Sequence, residues 1–120
     1  MYHYNTKGIY IVTNKKNGKF YIGQSKVAVG ARKVHHLVHL RRNIHYCKDW
    51  QEDFNKYGED AFEWDVLEEV NDLSKLDERE IYWIDKMDAI HKGYNQCSGG
   101  KGAPRKLSFR RSKKGNRREK

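Results

Sequence analysis

Gly8-Ile9-Tyr10-Ile11-Val12-Thr13 and Phe20-Tyr21-Ile22-Gly23 are the stretches from which the fold can be read. Both are short runs rich in β-branched and aromatic residues, a composition that suits a pleated, half-buried strand. The segment between them, Asn14-Lys15-Lys16-Asn17-Gly18-Lys19, contains Asn-Gly, the strongest short-range hairpin signal. Two registers are open. A two-residue turn at Asn17-Gly18 puts Tyr10 and Tyr21 on one face but far apart along it, whereas a longer loop centred near Lys16 brings them closer. Either way the hairpin presents two tyrosines, whose polar tips can do proton chemistry.

Beyond the hairpin, Val27, Ala31, Val34 and Val38 recur at spacings of three and four, which predicts a helix over 27–43 with these residues as its buried stripe. Arg32, His36 and His39 then fall on the opposite face. Asp49 is a candidate N-cap for a short helix to Lys56, with Gly58 as its stop. Residues 61–67, Ala-Phe-Glu-Trp-Asp-Val-Leu, largely alternate apolar and acidic and predict a half-buried strand. Ser74 is the expected cap of a helix reaching about Met87, and residues 91–95 read as a turn. The order β-β-α-α-β-α predicts a small α/β (α+β) domain, a three-stranded antiparallel sheet flanked by helices.

A chain of 120 residues supports one core. No apolar run approaches a membrane span and the N-terminus has no signal-like segment, so a cytoplasmic protein without membrane contact is expected. Cys47 and Cys97 stand outside any CxxC spacing and read as reduced thiols. The net charge of +9 is unevenly spread: residues 101–120 hold ten Lys/Arg against Glu119 alone, and residues 1–100 balance to zero. The expected organisation is therefore a folded domain over 1–100 and a basic tail over 101–120, disordered unless bound. Within the neutral part, residues 26–48 carry Lys26, Arg32, Lys33, Arg41, Arg42, Lys48 and four His without one acid, while residues 59–88 carry twelve acids. One basic face points to a polyanion, with nucleic acid as the leading candidate.

Glu80 is the sharpest single residue. It lies four after Leu76, three before Trp83 and four before Ile84, inside the apolar stripe of its helix. A carboxylate aimed at a core is costly unless paired with a cation or bound to a metal. One carboxylate with several retained waters suits Mg²⁺. Arg32 and His36, one helical turn apart, offer a charged fork for phosphate and a proton carrier, though a solvated face is the commoner reading of such a pair. Asn95, after Gly93-Tyr94, reads as a turn residue that satisfies backbone groups.

Together these residues make the chain resemble the GIY-YIG nuclease domain, with the phage homing endonucleases as the nearest kind. The similarity starts with Gly8-Ile9-Tyr10 and Tyr21-Ile22-Gly23. It runs through Arg32, His36, His45, Asn55-Lys56-Tyr57-Gly58 and Glu80, and closes on Gly93-Tyr94-Asn95 and Gly99-Gly100. The resemblance implies metal-dependent hydrolysis of a DNA phosphodiester. Tyr21 would act as general base or position the attacking water, and Tyr10 would support it. Arg32 would hold the scissile phosphate, His36 would relay a proton or touch the phosphate, and Asn95 would brace the site wall. Glu80 would bind a single divalent ion, Mg²⁺ or Mn²⁺. Some relatives place a Lys three positions after the second tyrosine, where this chain has Gln24. Lys26, Lys33, Arg41, Arg42 and His45, with Lys101, Arg105, Lys106, Arg110, Arg111, Lys113 and Lys114 of the tail, are the candidate contacts to double-stranded DNA. A monomer is expected. The alternatives are a non-catalytic DNA-binding protein on the same fold, or a restriction or repair nuclease.

Overall fold

The computed structural model describes residues 5–99. The chain order is β1 (Gly8–Asn14), β2 (Phe20–Ser25), α1 (Val29–Arg41), α2 (Lys48–Tyr57), β3 (Phe62–Glu69), α3 (Leu76–Lys86) and α4 (Ala89–Lys92). The three strands form one antiparallel sheet in the order β2-β1-β3. The fold class is thus the expected one, with one added helical turn, α4, where a simple turn was predicted. No helix among the described residues is long and apolar enough to cross a membrane.

Alternation along β1 explains why helices cover both faces of the sheet. Tyr10 and Val12 point to one side and join a core with Val29, Leu37, Leu40, Trp50, Phe62 and Trp64, packed under α1 and α2. Ile9 points to the other side and joins Ile22, Val70, Leu76, Ile84 and Ala89, under α3 and α4. Cys47 is buried and Cys97 half-buried, and both are free thiols.

The hairpin takes the longer loop. Asn14 N–H donates to the Lys19 carbonyl at 2.8 Å and its own carbonyl accepts from Gly18 N–H at 2.7 Å. Tyr10 then lies opposite Gly23 and Val12 opposite Tyr21. The two tyrosines are diagonal neighbours on one face, with ring centroids 6.3 Å apart. Gly23 has a specific reason to be glycine: a Cβ there would enter the space of the Tyr10 ring. On β1's other side a bulge between Ile9 and Tyr10 shifts the register against β3, directly beside the same tyrosine.

The first helix corrects the expectation most. It starts at Val29 and ends at Arg41, and its buried residues are Val29, His36, Leu37 and Leu40. The predicted stripe faces water instead, with Val27 71%, Val34 62% and Val38 41% exposed. Two leucines and Val29 remove more apolar area from water than the exposed valines would, and His36 tolerates burial because both ring nitrogens are hydrogen-bonded.

The other helix boundaries shift by a residue or two. The N-cap of α2 is Cys47, and Asp49 sits in the first turn, where a carboxylate complements the helix dipole. Gly58 ends α2 as expected. Asp72, not Ser74, opens the third helical segment: its Oδ1 accepts from Ser74 N–H at 3.1 Å and from the Ser74 hydroxyl at 2.7 Å. A 3₁₀ turn over Leu73–Lys75 follows, so the α-helix proper begins at Leu76.

Candidate active site

The face of the sheet that carries Tyr10 and Tyr21 is closed by α1 and by the segment leading into α2. Tyr10 is buried at the centre, its ring stacked 6.2 Å from Trp64 and its hydroxyl 2.8 Å from His36 Nε2. His36 Nδ1 is 2.8 Å from His45 Nε2, and His45 Nδ1 accepts the Cys47 backbone N–H at 3.0 Å. Tyr21 hydrogen-bonds the Tyr46 hydroxyl at 2.8 Å, and its ring lies 5.4 Å from His36 and 5.0 Å from Trp50.

These contacts assign the protons. Burial pushes His36 well below the usual histidine range, with His45 and then Arg32 adding to the effect. Burial, then His39, takes His45 down to about 4, so both rings are neutral near pH 7. A neutral imidazole carries one N–H. Because the Cys47 amide occupies His45 Nδ1, the His45 proton sits on Nε2 and donates to His36 Nδ1. The His36 proton must then sit on Nε2 and donate to the Tyr10 oxygen. A single backbone amide thereby fixes the direction of the chain Cys47 N–H, His45, His36, Tyr10. His45 is held in place as well: its backbone N–H donates to Gln51 Oε1 at 3.0 Å, and Gln51 Nε2 donates to the Leu40 carbonyl at 3.0 Å.

The two tyrosines differ electrically. Burial raises the hydroxyl pKa of both. At Tyr10 the neighbouring Arg32 guanidinium works against that rise, whereas at Tyr21 the neighbours Tyr10 and Tyr46 add to it. Burial disfavours the Arg32 charge, yet the phenols of Tyr10, Tyr21 and Tyr46 hold its pKa above the ordinary value. Arg32 Nε is buried without a hydrogen-bond partner. Such a donor suits an anionic oxygen brought in from outside.

Glu80 comes from α3, which covers the sheet's other face, but its charge acts on the Tyr10 and Tyr21 hydroxyls; it is only 9% exposed, as its place in the stripe predicted. Gln24 Nε2 donates to Glu80 Oε1 and to Asp77 Oδ1, each at 2.9 Å. No group of three or more His, Cys, Asp or Glu side chains among the described residues is arranged to hold a metal. A hard carboxylate with a second carboxylate beside it fits a Mg²⁺-like ion that keeps most of its waters. Asp77 gave no signal in the sequence, because a lone acid on a half-exposed helix face is ordinary.

Gly93-Tyr94-Asn95 runs along the outer edge of β2. Tyr94 N–H donates to the Phe20 carbonyl at 2.6 Å. Asn95 Oδ1 accepts from Ile22 N–H at 2.9 Å and its Nδ2 donates to the Ile22 carbonyl at 2.8 Å. An asparagine side chain thus stands in for a neighbouring strand. A Cβ at Gly93 would run into the Phe20 carbonyl, which explains the glycine.

The remaining candidates divide. His45, expected among the DNA contacts, is buried within the hydrogen-bonded chain. Arg41 is exposed but paired in a fork with Glu59 at 2.7 and 2.8 Å. Lys33 places its amine 5.8 Å from the centre of the Trp64 ring. Lys26 and Arg42 are exposed. Lys101, Arg105, Lys106, Arg110, Arg111, Lys113 and Lys114 lie outside the described residues. Tyr46 and Gln51 take part in the site without having been singled out by any pattern.

Comparison with known proteins identifies the family and supports the fold. The family model of the GIY-YIG catalytic domain matches residues 6–95. Intron-associated endonuclease 1 of Enterobacteria phage T4 is 35% identical over 89 residues, covering 73% of this chain and 36% of the relative. The chain therefore spans about a third of the length of that relative. The solved catalytic domain of the homing endonuclease I-TevI superposes with a TM-score of 0.67 at 35% identity, covering 76% of this chain and 98% of that one. A single-substitution variant of the same domain gives 0.69 at 33% identity, covering 75% and 92%. The chain belongs to the GIY-YIG endonuclease family, and residues 6–95 are its catalytic domain.

Proposed function

We propose that this chain is a divalent-metal-dependent endonuclease that hydrolyses phosphodiester bonds of double-stranded DNA, of the homing type found in phages and mobile elements, and that it acts as a monomer. The observation that carries this reading is the unpartnered, buried Arg32 Nε beside the Tyr10 hydroxyl, in a site that also presents Glu80. A phosphate oxygen satisfies the guanidinium and gains a fixed, always-charged donor.

Each residue then has a task. Arg32 holds the scissile phosphate and stabilises the charge that develops on it. Tyr10, 1% exposed, receives the His36 N–H, lies against Arg32 and supports its neighbour rather than meeting the water. Tyr21, less buried and tied to Tyr46, is the base or positions the attacking water. His36 has both nitrogens engaged and acts through Tyr10 rather than on the phosphate. Glu80 would hold the divalent ion, with Gln24 fixing its carboxylate. When bound, Mg²⁺ or Mn²⁺ would supply charge stabilisation to the leaving oxygen. Asn95 keeps the edge of β2, and with it Tyr21, from shifting.

The test is conversion of supercoiled plasmid to nicked or linear DNA in Mg²⁺, in Mn²⁺ and in EDTA. The reading predicts cleavage with either ion and none with chelator. Plasmid binding without cleavage in both ions would replace it with the non-catalytic DNA-binding alternative.

A further inference from the structure

His35 and His39 have no task in the site as described, yet both stand beside it. On α1 they follow Arg32 by three and seven residues, which puts them on its side of the helix. Their ring centroids are 4.5 Å apart, and the His35 ring lies 6.1 Å from that of His36. His35 is exposed and His39 half-buried. Among the described residues neither takes part in an ion pair. We infer that His35 and His39 form a second phosphate-binding position next to Arg32, and that they take up protons as DNA binds. The inference rests on the DNA-cleaving reading above and adds to it a proton linkage in substrate binding.

Placement, electrostatics and the lack of a counter-charge agree. The pair stands roughly 4.5–10.5 Å along the helix axis from Arg32. A DNA strand sets a phosphate about every 3.4 Å of its own axis, so a phosphate on Arg32 brings its neighbours within reach of these rings. The charges acting on His35 are those of Arg32 and His39, and Arg32, His35 and His39 all act in turn on the buried rings of His36 and His45. Glu59 reaches α1 but is paired with Arg41, and residues 26–48 contain no acid. Slight burial, then Arg32 and His39, hold His35 below the ordinary histidine value, so its ring is neutral near pH 7. An arriving phosphate reverses this balance, because an anion within about 4–6 Å favours the charged ring and accepts a charge-assisted N–H bond from it. Histidines charged in the complex and neutral in the free chain make affinity rise as pH falls through their range. His36 and His45 do not contribute there, since both stay neutral until well below pH 6.

Binding across pH tests this. Affinity for one linear duplex is measured in EDTA at fixed salt between pH 6 and pH 8, and plasmid cleavage is measured separately in Mg²⁺. The natural chain is compared with His35→Gln/His39→Gln and with His35→Lys/His39→Lys. Glutamine and lysine form helix more readily than histidine, so both variants keep α1. The natural chain should bind about tenfold more tightly at pH 6 than at pH 8, since each linked proton allows up to about tenfold per pH unit. The glutamine variant should lose most of that gain. The lysine variant, charged throughout, should bind at pH 8 as the natural chain does at pH 6. His91→Gln, which alters a histidine bonded to Asp88 on α4, should behave as the natural chain. Equal affinity of the natural chain at pH 6 and pH 8 would overturn the inference, as would a gain undiminished in the glutamine variant. A lysine variant no tighter at pH 8 than the glutamine variant would overturn it as well. Proton-linked binding without cleavage would support the phosphate position and defeat the nuclease reading; cleavage with pH-independent binding would do the reverse.

Discussion

Acidification should destabilise this domain well above the pH at which its carboxylates titrate. The perturbation acts on His36 and His45, which are buried in their neutral forms and linked in one hydrogen-bonded chain from the Cys47 amide to Tyr10. Unfolded, both take up protons near pH 6.5; folded, His45 does so only at about 4 and His36 also well below its usual range. Between these values the unfolded state binds more protons, so stability falls as pH falls. With an unfolded value of about 6.5 and the folded value of about 4, His45 alone accounts for at most about 2 kcal/mol of lost stability between pH 7 and pH 5. His36 adds to the loss in the same direction. Glu59, Glu68 and Asp72, held below the usual carboxylate range, act only at lower pH. Urea unfolding at half-unit pH steps measures the effect. In His45→Gln the amide can still accept from Cys47 N–H and donate to His36 without titrating, so part of the slope should disappear. A flat profile from pH 7 to pH 5, or an identical slope in the variant, would refute neutral burial of this pair.

Other substitutions probe separate parts of the account. Gly23→Ala should displace the Tyr10 ring, abolish cleavage and alter the ring contacts between Tyr10 and His36 seen by NMR; retained turnover would show that Tyr10 is not needed where it stands. Asn95→Ala strips both hydrogen bonds from the Ile22 backbone and should cost about 3 kcal/mol in denaturant unfolding, since each buried group left unpaired costs about 1–3 kcal/mol. A loss below about 1 kcal/mol would mean that solvent replaces the asparagine readily. Deleting residues 101–120 should weaken DNA binding and flatten its dependence on salt, because ten Lys/Arg are removed. An unchanged salt slope would exclude the tail from the contact.

The sheet was legible because strand signals were local: alternation, β-branched composition and Asn-Gly between the two runs. Glu80 was legible for the opposite reason, a charge interrupting an otherwise regular stripe. The misassigned face of α1 shows the limit of periodicity. That helix has apolar residues at helical spacing on two faces, and the choice between them depends on partners that lie far away in sequence. His36 belongs to the buried face only because Tyr10, 26 residues earlier, and His45 satisfy its nitrogens. His45 was placed among the DNA contacts for the same reason, since its partners are a backbone amide and another ring. The hairpin register was open because Asn-Gly suited the shorter turn, whereas the structure keeps Asn14 buried with its side chain donating to Tyr94, 80 residues away. Local chemistry located the elements, and long-range hydrogen bonds decided which faces meet.

The most direct test of the central claim is cleavage of supercoiled plasmid by Glu80→Gln in Mg²⁺, with DNA binding measured on the same preparation. The substitution keeps the shape of the side chain and removes the charge that would hold the ion. The account predicts binding close to that of the natural chain and cleavage lowered at least a hundredfold, about 2.7 kcal/mol of transition-state stabilisation. Cleavage within tenfold of the natural chain would contradict it and remove Glu80 from the chemistry.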